Sequence, residues 1–408
     1  MHTFKQLSAS YCTRLFIGLS LLAVSFIAPP AVASYNQTNL VTNNQQNLAS
    51  NPNNYAPAAN VDPNLVNPWG ISRSATSPFW VSDNGTGVST IYDGSGATIR
   101  SAVSIPGGNP TGQVFNGGSN FQVGPSQLPP APARFIFATE AGIISGWNPA
   151  VKPNDAIAKV DNSASGANYK GLGIDNSNSM LYAANFGNGK IDAFDGSFQP
   201  AALTGSFTDP NLPAGYVPFN IQNLGGELFV TYAFKANPGD TDETAGSGLG
   251  IIDIFDTQGE LIKRLINDKS VNDKSVLNAP WGLALAPPDF GEFSNDLLVG
   301  NFGDGRINAF DPMNGTFLGT LSDVKGSPIE IDGLWGLAFG NGGNGGRKDT
   351  LYFAAGINDE ADGLFGSLSV PEPATLPMMI LGLVVANSYK RRFTRKSGRL
   401  LFDPAVTA

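Results

Sequence analysis

The sequence predicts an all-β fold, a six-bladed β-propeller, on three observations. A short phrase centred on Trp-Gly recurs along the chain, a second β-rich phrase follows each copy, and a third recurs beside them. No stretch of the body carries an apolar period of 3.6 over 12 residues or more, so long helices are not expected. Glycine (49) and proline (29) are abundant while only 14% of residues are charged, the composition of a chain that turns often between short strands.

The first phrase appears as Asn67-Pro68-Trp69-Gly70-Ile71, Ala279-Pro280-Trp281-Gly282-Leu283 and Gly333-Leu334-Trp335-Gly336-Leu337. The second appears as Phe79-Trp80-Val81-Ser82-Asp83-Asn84-Gly85, Leu297-Leu298-Val299-Gly300-Asn301-Phe302-Gly303 and Leu351-Tyr352-Phe353-Ala354-Ala355. The third is Ile91-Tyr92-Asp93, Ile191-Asp192-Ala193-Phe194-Asp195, Ile252-Asp253-Ile254-Phe255-Asp256 and Ile307-Asn308-Ala309-Phe310-Asp311. Each is apolar and β-branched or aromatic, and each is bounded by Gly, Asn, Asp or Pro, the signature of strands joined by hairpins. In register, units begin near Trp69, Thr111, Gly171, Phe219, Trp281 and Trp335, with a repeat of roughly 45–60 residues, the size of a propeller blade. Unit three shows the expected strands at 171–175, 180–185, 190–195 and 201–207. Unit six has only three, at 335–339, 351–355 and 364–370, while the run 35–42 is left over at the other end. Pairing that run with unit six closes the ring and removes two free sheet edges. A β-sandwich or an unclosed repeat stack is the alternative.

The form Trp-Gly-Leu, then a strand ending in Asn or Asp, then Gly-x-Ile-x-x-Phe-Asp resembles the NHL and gluconolactonase-like six-bladed propellers. From Asn39 to Gly366 the chain resembles a family of exported propellers that carry a C-terminal sorting signal.

Both termini read as addresses. Lys5 and Arg14 precede an apolar run over 15–28, and Ala31-Val32-Ala33 supplies a small-x-small cleavage site, so 1–33 is expected to be a secretory signal peptide. The propeller then occupies 34–369. At the other end Pro371-Glu372-Pro373, an apolar segment over 376–386 and the basic cluster Lys390, Arg391 and Arg392 resemble the PEP-CTERM signal of Gram-negative bacteria. That resemblance covers 370–392 and implies a single membrane segment followed by a cytoplasmic basic tail, 393–408. It implies signal peptidase and exosortase as processing partners and a transient stay in the inner membrane. The destination is the periplasm, cell surface or extracellular matrix of an exopolysaccharide producer. The basic cluster on the cytoplasmic side agrees with the positive-inside rule.

The one His and one Cys are His2 and Cys12, inside the expected signal peptide. A mature chain without them has no disulfide, no Cys/His zinc site and no Ser-His-Asp or thiol chemistry. Without Lys5, Arg14, the six basic residues from Lys390 to Arg399 and Asp403, 16 Lys and Arg remain against 32 Asp and Glu, a net of −16. No basic stripe is left to follow a phosphate backbone, so nucleic acid is excluded as a partner and cations are favoured.

Antiparallel alternation sends the start of each inner strand and the end of each second strand to one face of the disc. Asn67, Trp69, Asn220, Asn278, Trp281, Asp332 and Trp335 are therefore expected near one mouth of the central channel as a ligand-binding face. Asp83, Glu140, Asn185 and Asn301 are expected to rim it as candidate ligands for Ca²⁺, a hard cation that takes six to eight oxygens. The insertions 237–248, with Asp240, Asp242 and Glu243, and 357–363, with Asp359, Glu360 and Asp362, fall on the same face. The bland alternatives are explicit: the tryptophans pack blade on blade, the acidic loops are solvated surface, and Asn84-Gly85 and Asn188-Gly189 are hairpin turns. Asp93, Asp195, Asp256 and Asp311 recur on the opposite face and read as turn formers.

Two functions fit. The first is a non-catalytic binding or scaffold protein for exopolysaccharide or another surface component. The second is a lactonase-type hydrolase whose divalent ion polarises a carbonyl, as the gluconolactonase resemblance implies. Binding is the preferred reading.

Overall fold

The computed structural model describes residues 34–124, 129–267 and 276–371. Within them the chain forms six mainly antiparallel blade sheets, with a small extra hairpin of Gln122–Val123 and Ala131–Pro132, and the inner strands of the blades are Pro68–Ser72, Pro110–Phe115, Tyr169–Ile174, Tyr216–Leu224, Pro280–Leu285 and Leu334–Phe339. Each inner strand packs on the next, and the sixth returns to the first, so the sheets close into a six-bladed propeller. We number the blades one to six in that order.

Why the strands sit so close to the axis is visible in the residue after each channel position. A Cβ on Gly70 would run into Thr111 O, on Gly112 into Leu172 N, on Gly171 into the Asn220 side chain, on Gly282 into Trp335 O and on Gly336 into Trp69 O. Blade four breaks the run with Asn220, whose Nδ2 donates to Trp281 O at 2.7 Å and ties blade four to blade five. On the other side of the ring Gln113 Nε2 donates to Gly70 O at 2.7 Å, and Thr111 Oγ1 donates to Tyr169 O at 2.6 Å. Backbone polar groups that a narrow channel would strand are thus paired across blades.

Blade six closes with a strand from the other end of the chain. Asn36–Thr42 pairs antiparallel with Leu364–Ser369 over the register Asn36↔Ser369 to Thr42↔Leu364, interrupted by one bulge. The connection is reinforced beyond the ladder. Thr42 Oγ1 donates to Gly363 O at 2.9 Å, Tyr35 stacks on Phe290 with centroids 4.7 Å apart, and the short helix Gln45–Ser50, capped by Asn44, buries Leu48. The N-terminal run therefore seals blade six and leans on blade five.

Blade three corrects one expected strand. It has three strands, Tyr169–Ile174, Met180–Asn185 and Lys190–Asp195, and 201–207 is not a fourth. That segment leaves its own blade after an isolated bridge at Pro200. Gly205 N and Phe207 N donate instead to Gln258 O and Gly259 O of blade four. Ala201 N still donates to Ala193 O of blade three, and beyond it the neighbouring hairpin supplies the partners.

The recurrent aspartates at third-strand ends form turns. Asp195 Oδ1 accepts from Ser197 N and Gln199 N, Asp256 Oδ1 from Gln258 N and Glu260 N, Asp93 Oδ1 from Ser95 N and Ala97 N, and Asp311 Oδ1 from Met313 N. Among the described residues no helix is long and apolar enough to cross a membrane. The expected signal peptide, Glu372, Pro373, the membrane segment and Lys390, Arg391 and Arg392 lie outside the described residues. Only Pro371 of the sorting motif lies within them.

Candidate functional site

Six side chains point the six blades at the channel: Trp69, Thr111, Lys170, Phe219, Trp281 and Trp335 occupy the same register position, one residue before the close-approach position. Three tryptophans meet there. Trp69 and Trp335 stack with centroids 3.5 Å apart at 17°, Trp281 meets both nearly at right angles, and Phe302 stacks on Trp335 at 4.2 Å. Phe186 and Phe219 complete the cluster, and Trp335 is 0% exposed. Asn67 Oδ1 accepts from both Trp69 Nε1 and Trp335 Nε1, at 3.0 and 3.2 Å, and Trp281 Nε1 donates to Lys170 O at 3.1 Å. The indole faces of Trp69 and Trp335 are spent on one another and on Phe302, so the tryptophans plug the channel.

The plug separates two cavities of similar size. At the inner-strand ends lies one of about 560 Å³, lined by residues such as Arg73, Gln113, Asn176, Asn223 and Phe339, together with Asn220 and Trp281. At the inner-strand starts lies the other, about 600 Å³, and every blade contributes to it. Blade one supplies Asn67, Trp69 and Asn84, blade two Glu140, and blade three Asn168 and Lys170. Blade four supplies Thr241, Asp242 and Glu243, blade five Phe302, and blade six Trp335 and Glu360.

Lys170 organises this mouth. Its side chain is 1% exposed, its Nζ lies 2.6 Å from Glu140 Oε1 and 2.8 Å from Asp242 Oδ1, and it stands 4.9 Å above the Trp69 ring. Burial alone would lower its pKa, but Glu140, Glu243 and Asp242 outweigh burial and raise it, so the ammonium is held charged. Glu140 is fixed from its other side by Asn84 Nδ2, 3.0 Å from Oε2. Burial pushes Glu243 and Glu360 up to about 7, against the pull of Lys170. Asp242 feels burial too, yet contact with Lys170 holds it below the usual carboxylate range. Two of the four carboxyls are therefore ion-paired, and two are poised near neutrality. Beside them Asn168, 8% exposed, donates Nδ2 to Thr241 O at 3.1 Å and leaves its Oδ1 without a hydrogen-bond partner.

Of the expected ligand-binding face, Asn67, Trp69 and Trp335 line this mouth, with the tryptophans as its floor. Asn220 and Trp281 line the opposite cavity. Asn278 Oδ1 accepts from Gly246 N at 2.7 Å, and Asp332 Oδ2 accepts from Asn51 Nδ2 and Asn358 N, so both hold loops in place.

Of the four candidate metal ligands, Glu140 alone lines the mouth. Asp83 is fully buried, accepts Thr90 N at 2.9 Å, and is pushed by burial well above the usual carboxylate range, which favours its neutral form. Asn185 Oδ1 accepts from Asn168 N and Asn188 N, and Asn301 Nδ2 donates to Val276 O and Asp304 Oδ1. Among the described residues no three or more His, Cys, Asp or Glu side chains are grouped to hold a metal ion. At the mouth the Lys170 ammonium stands where a cation shared by Glu140 and Asp242 would sit. These residues do not fit a lactonase-type metal centre.

Sequence reasoning missed Lys170, Asn84 and Asn168. The signal for Lys170 was present: Lys170-Gly171-Leu172 is the Trp-Gly-Leu phrase with an ammonium in place of the indole.

No family model matches the chain. Two proteins of Acanthamoeba polyphaga mimivirus are similar to it. The uncharacterised protein R648 is 32% identical over 330 residues, covering 79% of this chain and 78% of that protein. The uncharacterised protein L690 is 34% identical over 326 residues, covering 76% and 82%. The chain belongs to the family of these two proteins. Among solved structures, a Bacteroides thetaiotaomicron protein has a TM-score of 0.49 at 8% identity, over 83% of this chain and 77% of that one. Virginiamycin B lyase from Staphylococcus aureus has a TM-score of 0.45 at 15% identity, over 83% and 99%.

Proposed function

We propose that this member of the family it shares with the two mimivirus proteins is an exported binding propeller. Its ligand site is the mouth at the inner-strand starts. One observation carries the reading: all six blades converge on a cavity of about 600 Å³ in which a buried ammonium is set among four carboxyls. A buried charge cluster of this kind is weak support for stability, since apolar packing serves at least as well. A concave site with convergent polar groups and shifted pKa values is the usual place for a ligand. The ligand in this reading is a small polar molecule or one residue of a surface polymer such as exopolysaccharide. The test is capture of extracellular polymer by the purified chain. Wild type retains polymer, and Glu243→Gln with Glu360→Gln loses it; equal retention by both places binding elsewhere.

Export is part of the same proposal. With Pro371-Glu372-Pro373 as the processing signal, Glu372→Ala leaves the protein in the inner membrane of a strain with an active exosortase. Unchanged release means that the tail is an anchor only.

A hydrolytic reading has one observation in its favour. Glu243 and Glu360, held near 7 in one cavity, are suited to passing a proton at neutral pH. Lactone hydrolysis that survives EDTA and is lost in Glu243→Gln would establish it. Hydrolysis that needs Ca²⁺ would restore the metal expectation.

A further inference from the structure

We propose that the mouth binds a protonated amine. An ammonium group on a small hydroxylated skeleton, as in an amino-sugar residue, is received by Glu243, Glu360 and the unpartnered Oδ1 of Asn168, beside the resident ammonium of Lys170. This rests on the mouth being the ligand site and names the class of ligand.

The argument begins with charge. Four carboxyls, Glu140, Asp242, Glu243 and Glu360, line one cavity with one cation, and the ion pairs of that cation go to Glu140 and Asp242. Glu243 and Glu360 make no ion pair among the described residues. An anion is repelled from such a site, and a neutral sugar can hydrogen-bond its carboxylates but brings no charge to answer theirs, while the indole faces of Trp69 and Trp335 are stacked on other rings. A divalent ion wants six to eight oxygens around it, and Lys170 already holds two of the carboxylates and repels a doubly charged ion about twice as strongly as an ammonium.

The second observation is independent of the carboxyls. Asn168 is nine-tenths buried, lines the same cavity and presents an acceptor with no donor. A buried acceptor left unpaired is unfavourable, so a ligand donor that reaches it is favoured. An ammonium brings three donors and no acceptor, matching two carboxylates and one amide oxygen. The groups facing the amine are Glu140 of blade two, Lys170 of blade three, Asp242 and Glu243 of blade four and Glu360 of blade six; Lys235, 5.1 Å from the Phe186 ring, is the next cation and does not line the cavity. Because burial raises Glu243 and Glu360, an incoming cation must draw protons off them. Binding therefore releases protons and strengthens as pH rises from about 6 to about 8, with an amine that stays charged throughout.

Calorimetric titration of the full chain with ethanolamine, D-glucosamine, D-glucose and CaCl₂ tests this. Expected are binding of both amines at least tenfold tighter than of glucose, proton release with ethanolamine, and loss of tenfold or more in Glu243→Gln with Glu360→Gln. Asp195→Ala, on the far face, leaves binding unchanged, and matching melting curves establish that the double variant is folded. Glucose bound as tightly as glucosamine, with the same loss in the double variant, overturns the ammonium and keeps the mouth. Ca²⁺ bound in competition with ethanolamine overturns the amine in favour of a metal. Amine binding untouched by the double variant, or no amine binding, overturns the inference; if glucose and Ca²⁺ also fail to bind, the mouth is lost as the site.

Discussion

The two ends of the central channel hold cavities of nearly equal volume, about 600 and about 560 Å³, and differ in chemistry. One is built from inner-strand starts and the long connections 237–248 and 357–363, and it gathers four carboxyls around Lys170. The other is built from inner-strand ends, where Asp175 spends its oxygens on the backbone N–H groups of Ser179 and Met180. Propeller geometry makes a hole at both ends. Only one of them has carboxyls left over for something else. Volume does not identify the site; the unspent charge does.

Removing the N-terminal strand should break both ends at once. Deleting 35–42 leaves Leu364–Ser369 as an open edge and strips Tyr35 from Phe290, so the ring loses its seal. Expected is loss of cooperative unfolding, or melting lower by more than about 10 °C. Melting like the intact chain would mean that the propeller closes without this strand.

Next in size is Lys170→Met, which keeps volume and removes the charge. Glu140 and Asp242 lose their cation, and the cost by urea denaturation should be about 3 kcal/mol, the low end for a broken buried pair because the Asp242 side chain is exposed. The matching change at the opposite mouth, Asn223→Ala, removes hydrogen bonds to Ile174 O and Asn176 and should cost about 1 kcal/mol. Equal costs would erase the asymmetry between the two ends.

Titration gives a subtler contrast. Glu243 and Glu360 bind their protons more tightly folded than unfolded, since burial raises both to about 7 from the ordinary 4.5. The stability they contribute is full below about pH 4.5 and is lost as pH rises through 7. Melting temperature should fall across that window, and Glu243→Gln with Glu360→Gln should flatten the fall. A slope remains in the variant because Asp253, raised mainly by burial to about 7, titrates in the same direction. An unchanged slope would mean that the mouth carboxyls are not the ones titrating.

The smallest effect belongs to Asp195→Ala. It removes one turn oxygen and should cost within about 1 kcal/mol with no effect at the charged mouth.

Much of the fold was legible in the chain because the repeat is carried by backbone needs: a glycine where neighbouring strands nearly touch, and an aspartate where a hairpin must turn. These fix residue types at fixed spacing, and the six starts near Trp69, Thr111, Gly171, Phe219, Trp281 and Trp335 fall in the six inner strands. The expected strand over 201–207 failed because its hydrogen bonds go to a neighbouring blade, a partner that local pattern does not specify. The site was legible only in part. Second-strand ends such as Asp83 and Asn301 share the face of the mouth but lie one layer outside it, buried and holding their own blades. The deciding residue broke the repeat: an ammonium in the slot where three other blades carry indole. A search for recurrence finds Trp69, Trp281 and Trp335 and passes over Lys170.

The claim that one end of the channel binds and the other does not is tested most directly by hydrogen exchange of the full chain with and without D-glucosamine. Protection is predicted in the backbone around Glu140, Asn168, Lys170, Asp242, Glu243 and Glu360, with none around Arg73, Asn176, Asn223 and Phe339. Protection confined to the second set would contradict the account.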